Sequence, residues 1–384
     1  MGTFVLEILL KIKKMNKKIT TSLSTLLILN IFLILNSCSN PTKEANPSTA
    51  SSTDQKEVQK TVYASEITPF FDDWNLIMGD GSNVGHANNF ENKNFFYTTN
   101  DGKDTWVVYK APNSGDTHGT SNNCRTELAQ VKKWYPATAD DKLTATLKVM
   151  NVSTTGDARV AASYSVVVGQ IHSADGHENE PLKIFYKKFP GHTKGSVFWH
   201  YEINTAGDDN SGRWDYSTAV WGHDFSVVGT DANTYPEEPK EGISLGEEFS
   251  YEIEVKNGIM NLKFSSKGHE NKTFTKNLIV SEYATKLDIP KQTQSLFVPI
   301  GQDGVERKNA YAGEGLFFKL GSYNQTNGKS PEVNRNWCSG AETHGGDIQK
   351  QYKDGNYAEV WFKRANIYVN ETAVSNQGYF TKND

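Results

Sequence analysis

Cysteine is scarce in this sequence. Three in 384 residues are too few for the dense disulfide framework that holds small secreted domains together. Excess positive charge is also missing: 40 Lys and Arg against 45 Asp and Glu give a formal charge of −5. That balance argues against a general polyanion binder, and no nucleic-acid partner is expected. The nine histidines show no HxxxH or HxH spacing, so zinc or another metal centre is not expected. Helical apolar periodicity is sparse, and there is no internal repeat. The one long apolar run, Leu26–Leu35, is shorter than the ~20 residues a membrane-spanning helix takes.

That run has the flanks of an export signal. Lys11, Lys13, Lys14, Lys17 and Lys18 precede it, and MNKKITTS from Met15 makes a better positive region than the residues before it. It ends in LNSC, which places Leu35 and Ser37 at −3 and −1 of Cys38 as a bacterial lipobox requires. Residues 1–37 are therefore expected to be a lipoprotein signal peptide, with Cys38 the lipidated first residue of the mature chain. Residues 38–60 are rich in Ser, Thr, Pro, Lys and Glu and lack large apolar side chains. This is the composition of a flexible tether. A bacterial cell-envelope location, lipid-anchored at the outer membrane or cell surface, is the expectation.

Residues 61–384 read as one all-β domain. TWVVYKAP, KLTATLKVMNV, FSYEIEVKNGIMNLKFSS and AEVWFKRANIYV alternate or run apolar, with Gly, Asn and Asp between them. Asn-Gly at Asn257 and Gly258 marks a tight hairpin. Short helices are expected over Ala64–Phe71 and Leu278–Lys286. Polar, glycine-rich stretches at 173–195, 207–246 and 326–352 are too long for ordinary loops and are expected to shape a site.

Three strands place polar side chains at i and i+2. Arg125 and Glu127 share a face of RTELAQ. Gln170 and His172 share one in VVVGQIHS, with Val168 assigned to the same side. In LFFKLGSYNQ, Lys319, Gly321, Tyr323 and Gln325 point one way, with the glycine leaving room beside the others. In one sheet, these strands would form a patch of Arg, Gln, His, Tyr and Lys suited to a charged polymer. The blocks RTEL, QIH and Phe317–Gln325, in this order, resemble the signature blocks of the family 7 polysaccharide lyases, the alginate lyases. Phe317 and Leu320 replace the commoner Tyr and Ala of the third block. The resemblance covers about residue 65 to the C-terminus. It implies a β-jelly roll of two antiparallel sheets with a concave substrate groove, and an enzyme that acts on alginate or a related polyuronate; a monomer is expected, although the chain itself does not reveal its quaternary state.

The chemistry of that substrate sets three requirements. The uronate carboxylate must be neutralised so that C5–H becomes acidic, a base must take the proton, and an acid must protonate the leaving C4 oxygen. Arg125 can fork onto the carboxylate and Gln170 can donate to it. A histidine such as His172 titrates near ~6.5 and can serve as base or neutralising donor. A phenol titrates near ~10, so Tyr323 could act as base only with help from neighbouring cations, but could act as acid without it. In the family, the matching Tyr and His are the acid/base pair and the matching Arg and Gln hold the carboxylate. Tyr323 would do both jobs where C5–H and the leaving group are syn, with His172 as base where they are anti. Glu127, Lys319 and Gln325 are assigned to substrate binding or to orienting these groups. No metal or other cofactor is required. Arg335 and Lys308 are further candidate cations, and Trp199, Trp214, Trp221 or Trp337 could stack on sugar.

Cys124 and Cys338 form an even pair in an exported chain, so a disulfide is expected. An isoleucine at the centre of the QIH block, Ile171, goes with guluronate-containing substrate in the family. The long loops suggest a partly closed groove and exolytic action. The rivals are a lyase for another polyuronate such as glucuronan, a glycoside hydrolase, and a non-catalytic carbohydrate-binding lipoprotein. The hydrolase needs a carboxylate pair, and no E-x-D-x-x-E strand is present.

Overall fold

The computed structural model describes residues 62–117, 121–174, 180–203, 214–279, 311 and 314–375. The signal segment, the tether, Cys38, His177 and Lys308 lie outside these residues, as do all but the first two positions of the expected helix 278–286.

The described residues are built mainly from strands, all paired antiparallel. In order they are β1 (Trp74–Ile77), β2 (Asn83–Gly85), β3 (Phe96–Asn100), β4 (Thr105–Pro112), β5 (Arg125–Gln130), β6 (Asp140–Asn151), β7 (Ser165–Ser173), β8 (Leu182–Lys187), β9 (Lys194–Ile203), β10 (Trp214–Trp221), β11 (Ile243–Ser244), β12 (Glu248–Lys256), β13 (Ile259–Ser266), β14 (Lys272–Asn277), β15 (Leu316–Asn324), β16 (Tyr357–Val369) and β17 (Thr372–Ala373). One sheet runs β10-β9-β8-β7-β15-β5-β1-β2, with β11 on β9. The other runs β14-β13-β12-β6-β16-β4-β3, with β17 on β16. Among the described residues helix is limited to short pieces, including α1 (Ala64–Ile67) and α2 (Ile348–Lys353). The first is shorter than the expected Ala64–Phe71, because Thr68 at its C-cap turns extended.

The core lies between the sheets and follows the alternation of the strands. Phe249, Tyr251, Ile253 and Val255 of β12 and Leu143, Ala145, Leu147 and Val149 of β6 pack in one cluster with Leu182, Ile184 and Tyr186 of β8 and Leu316, Phe318 and Leu320 of β15. At roughly 1.5–3 kcal/mol for each large apolar side chain buried, these interdigitated rows dominate the folding energy. The expected hairpin joins β12 to β13, with Asn257 and Gly258 at φ 49° and 81°.

Two details of the alternation differ from the sequence reading. A register shift between β7 and β8 falls at Val167/Gly169. Val166 and Val168 therefore both face the core, while Val167 joins a separate cluster with Phe185 and Phe198 on the other side of the sheet. Val168 thus lies opposite Gln170, not beside it. Gly169 faces the core, where a Cβ would stand 2.6 Å from the Tyr251 hydroxyl. Gly321 likewise clears no room in the groove. At φ +148°, its Cβ would meet the Thr126 carbonyl oxygen at 2.5 Å and the Tyr109 ring at 3.1 Å, inside the sandwich.

The expected disulfide is absent: Cys124 and Cys338 are both free and buried. Strand alternation gives the reason. Arg125 turns to the groove, so Cys124 turns away from it. Its thiol donates to the Gly79 carbonyl at 3.1 Å and lies against Gly115. Cys338 sits in the loop beside Trp337, which lines the groove.

Candidate active site

β7, β15 and β5 are adjacent, with β15 in the middle. Across β15 and β7, Lys319 faces Gln170 and Phe317 faces His172. Across β15 and β5, Tyr323 faces Arg125 and Gly321 faces Glu127. Direct cross-strand partners sit about 5 Å apart at Cβ, so the side chains of β15 reach both neighbours. The three polar segments therefore make one patch, on the sheet face turned away from the core.

Glu127 is at its centre and is 1% exposed. Lys319 Nζ lies 2.7 Å and Arg125 Nη1 3.5 Å from its Oε2, and the Gln170 amide donates to its Oε1. Burial works against the charge of Glu127, but Lys319 and Arg125, with hydrogen bonds from Lys319 and Gln170, hold its pKa below the ordinary carboxylate value. A carboxylate so enclosed ties Lys319, Arg125 and Gln170 to one point. Arg125 stacks its guanidinium over the Tyr323 ring at 3.7 Å. Its Nε, and Oε1 of Gln170, are buried and bond to no group among the described residues. The Tyr323 hydroxyl lies 3.0 Å from Ser121 Oγ. His172 Nδ1 lies 2.6 Å from the Ser173 carbonyl oxygen, which fixes the proton on Nδ1 and leaves Nε2 for chemistry.

A cavity of about 770 Å³ opens over the patch and is lined by Arg125, His172, Lys319, Tyr323 and Gln325 among others. Gln170 and Glu127 lie just beneath its floor. Three neighbouring segments wall part of the cavity together. Arg159 and Ala161 come from the β6–β7 connection, Phe225, Ser226 and Val228 from the segment after β10, and Asn334, Asn336 and Trp337 from the loop after β15. These segments are knitted by backbone hydrogen bonds from Ala158 to Ala232, Asp157 to Ser339 and Ala162 to Asn336. The rings of Phe225 and Trp337 pack at 5.1 Å.

Residues 71–369 match the family model described as alginate lyase. The chain belongs to the alginate lyase family. With that membership it is a polysaccharide lyase. It is 62% identical to an exolytic PL7 alginate lyase from Zobellia galactanivorans of known crystal structure, covering 80% of this chain and 98% of that one, with a TM-score of 0.73. An alginate lyase of Klebsiella pneumoniae shares the jelly-roll fold at a TM-score of 0.54 and 22% identity, over 78% of this chain and 96% of that one. A sequence relative from Klebsiella pneumoniae, also named alginate lyase, is 28% identical over 250 residues. That match spans 62% of this chain and 66% of the relative.

Within this alginate lyase fold, several groups in the cavity had no sequence motif to announce them. Glu180 Oε1 stands 3.3 Å from His172 Nε2. Lys183 bridges Glu180 at 2.9 Å and Glu202 at 2.7 Å. Burial pushes His172 down to about 4; Glu180 opposes this, while Lys319 and Arg125 add to it. Burial also lowers the pKa of Lys319, against the pull of Glu127. Phe317 flanks the imidazole with ring centres 5.2 Å apart. Lys183 did carry a signal: in LKIFYK it alternates with core residues Leu182, Ile184 and Tyr186. Glu180, Ser121 and Arg159 lie in irregular segments, where spacing predicts no direction.

Other candidates fall elsewhere. Arg335 is exposed and pairs with Glu332 at 3.4 Å. Trp199 and Trp221 belong to the core, and the Trp214 side chain is outside the described residues. Of the four tryptophans considered, Trp337 lines the cavity.

Proposed function

We propose that the protein cleaves alginate by β-elimination, releasing products with a 4,5-unsaturated uronate end, and that it works from chain ends. Arg125 takes the uronate carboxylate, with Gln170 and Lys319 adding to the positive field around it, so that charge arriving from C5 is stabilised as it forms. Glu127 holds Arg125 and Lys319 in place. Tyr323 protonates the leaving C4 oxygen and also takes C5–H where the two are syn. His172, neutral over the physiological range because of its burial, is the base in the anti case. Gln325 contacts the sugar beside Tyr323.

One observation carries this reading: Arg125, His172, Lys319 and Tyr323 converge on one cavity floor, with the buried carboxylate of Glu127 holding Arg125 and Lys319. A hydrolase would need two carboxylates facing the bond, whereas Glu127 is enclosed by Arg125 and Lys319 and Glu180 is paired with His172 and Lys183; a binding module would not need this group of residues. The walled part of the cavity and the exolytic relative support action at chain ends. Guluronate-containing substrate remains our assignment from Ile171. Since that side chain is buried in the core, it acts only by setting the positions of Gln170 and His172.

The test is ultraviolet absorbance during incubation of residues 60–384 with alginate, alongside Tyr323→Phe and His172→Ala. A rise with the parent that collapses in both variants supports elimination through these residues. A flat trace on alginate with activity on glucuronan changes the substrate, and silence on all polyuronates sinks the reading. Product size at early conversion decides end against interior cleavage. Polyguluronate against polymannuronate decides the block preference.

We also propose, from LNSC and the composition after it, that residues 1–37 are removed, Cys38 is lipidated, and 38–60 tether the catalytic domain to the cell envelope. Cys38→Ser should release the protein from the membrane fraction; retention there would refute the anchor.

A further inference from the structure

β8 turns two lysines, Lys183 and Lys187, to the cavity side of the sheet. Lys183 has carboxylate partners in Glu180 and Glu202. Lys187 is 4% exposed and forms no ion pair among the described residues. Its Nζ instead donates to two backbone carbonyls, Ala161 at 2.8 Å and Val227 at 3.2 Å. Aromatic rings complete its surroundings: Phe189 at 4.7 Å and Phe225 at 6.0 Å. A lysine buried without an ion-pair contact is expensive, and a hydrophobic residue of like volume would fill the same space. What such a residue could not do is bond two carbonyls.

Those carbonyls belong to different wall segments. Ala161 itself lines the cavity, two residues after Arg159. Val227 lies between the lining residues Ser226 and Val228. The hydrogen bonds noted above tie the segments to one another. Lys187 ties both of them to the strand beneath.

We propose that Lys187 fixes the walled part of the groove, by clamping the carbonyls of Ala161 and Val227 to β8 and so holding the site to a length that accepts a chain end. This rests on the chain-end reading of the function and deepens it. Lys187 is a positioning residue and touches no reacting atom. With the clamp removed, the wall loosens and polymer can thread past it, while the groups on β5, β7 and β15 stay in place.

Lys187→Met retains volume and removes both donors. At equal early conversion of alginate polymer, the parent should release its smallest products, whereas the folded variant should show a share of longer oligomers raised ~5-fold or more. Amide exchange across 158–163 and 224–230 should rise ~10-fold or more in both segments together, as expected for a local opening made easier. A lysine of merely general structural value would lower all cleavage without changing product length. A folded Lys187→Met with the parent's product pattern and exchange overturns the proposal. Should that variant fail to fold, Lys187→Gln, which is shorter and reaches one carbonyl at most, is read by the same exchange measurement; no change in either segment then overturns it. If the parent itself releases mixed oligomers from the start, the chain-end reading falls by itself. Exchange in the variant then decides the clamp.

Discussion

The guanidinium of Arg125 stands 3.7 Å from the centre of the Tyr323 ring, and the two residues are direct partners across β5 and β15. The same arginine is tied to Glu127 at 3.5 Å. A planar cation held on two sides keeps its free edge in a fixed direction. Lysine cannot replace it, because a flexible ammonium neither stacks nor forks. Arg125→Lys should therefore fold, yet lose roughly 100-fold or more in kcat/KM on alginate, the range seen when one donor to a developing anion is removed. Steady-state kinetics beside a thermal melt checks it. Activity within a few-fold of the parent would remove Arg125 from the reaction.

Tyr323→Phe keeps the ring beneath Arg125 and deletes only the hydroxyl that faces Ser121. The expected loss is in kcat, ~10²–10⁴-fold as for removal of a general acid or base, with little change in melting temperature. A fall in stability with modest loss of rate would mean that the hydroxyl serves packing.

Glu180 gives a prediction with a definite sign. Its carboxylate raises the pKa of His172, against the larger depression by burial. Glu180→Gln removes that support, so His172 should stay unprotonated to lower pH. If His172 is the base, the acid limb of kcat/KM should move to lower pH. A limb that moves up, or stays fixed while His172→Ala abolishes it, would contradict this coupling.

The residues that could be read from the sequence were those on regular strands. Period-two alternation placed Arg125 with Glu127, and Lys319 with Tyr323, on the right face, although it failed for Gly321, where β15 shifts register against β7 between Leu320 and Tyr323. It failed at Val168, since one bulge in β7 reverses the facing of everything before it, and a bulge has no composition signal in VVVGQ. It missed Glu180 and Arg159 because a loop side chain has no periodicity to orient it. The expected cysteine pairing rested on cellular compartment, which says nothing about direction; Cys124 is next to a groove residue and so points away from the groove.

That correction is itself testable. In the absence of reductant, denatured protein comprising residues 60–384 should titrate as having both Cys124 and Cys338 as thiols, and its melting temperature should not respond to reductant. Closing a loop of this length would stabilise by about 5 kcal/mol in the chain-entropy account. A bridge could therefore not go unnoticed: a fall of several degrees on reduction would restore it.

Lys187 links the wall to pH. Burial pushes it down to about 7, with Asp224 acting in the other direction. Its folded-state pKa lies below the unfolded value of about 10.4, so the unfolded chain binds the extra proton between these limits. Stability from this group is then lowest below about pH 7 and rises as pH increases toward the unfolded pKa, by on the order of a few kcal/mol. The neutral amine still has two N–H groups for the carbonyls of Ala161 and Val227, so the clamp survives deprotonation. Over pH 7 to 10, unfolding free energy should include this rising component in the parent and lack it in Lys187→Met. Parallel curves for the two proteins would show that Lys187 keeps an ordinary pKa despite its burial.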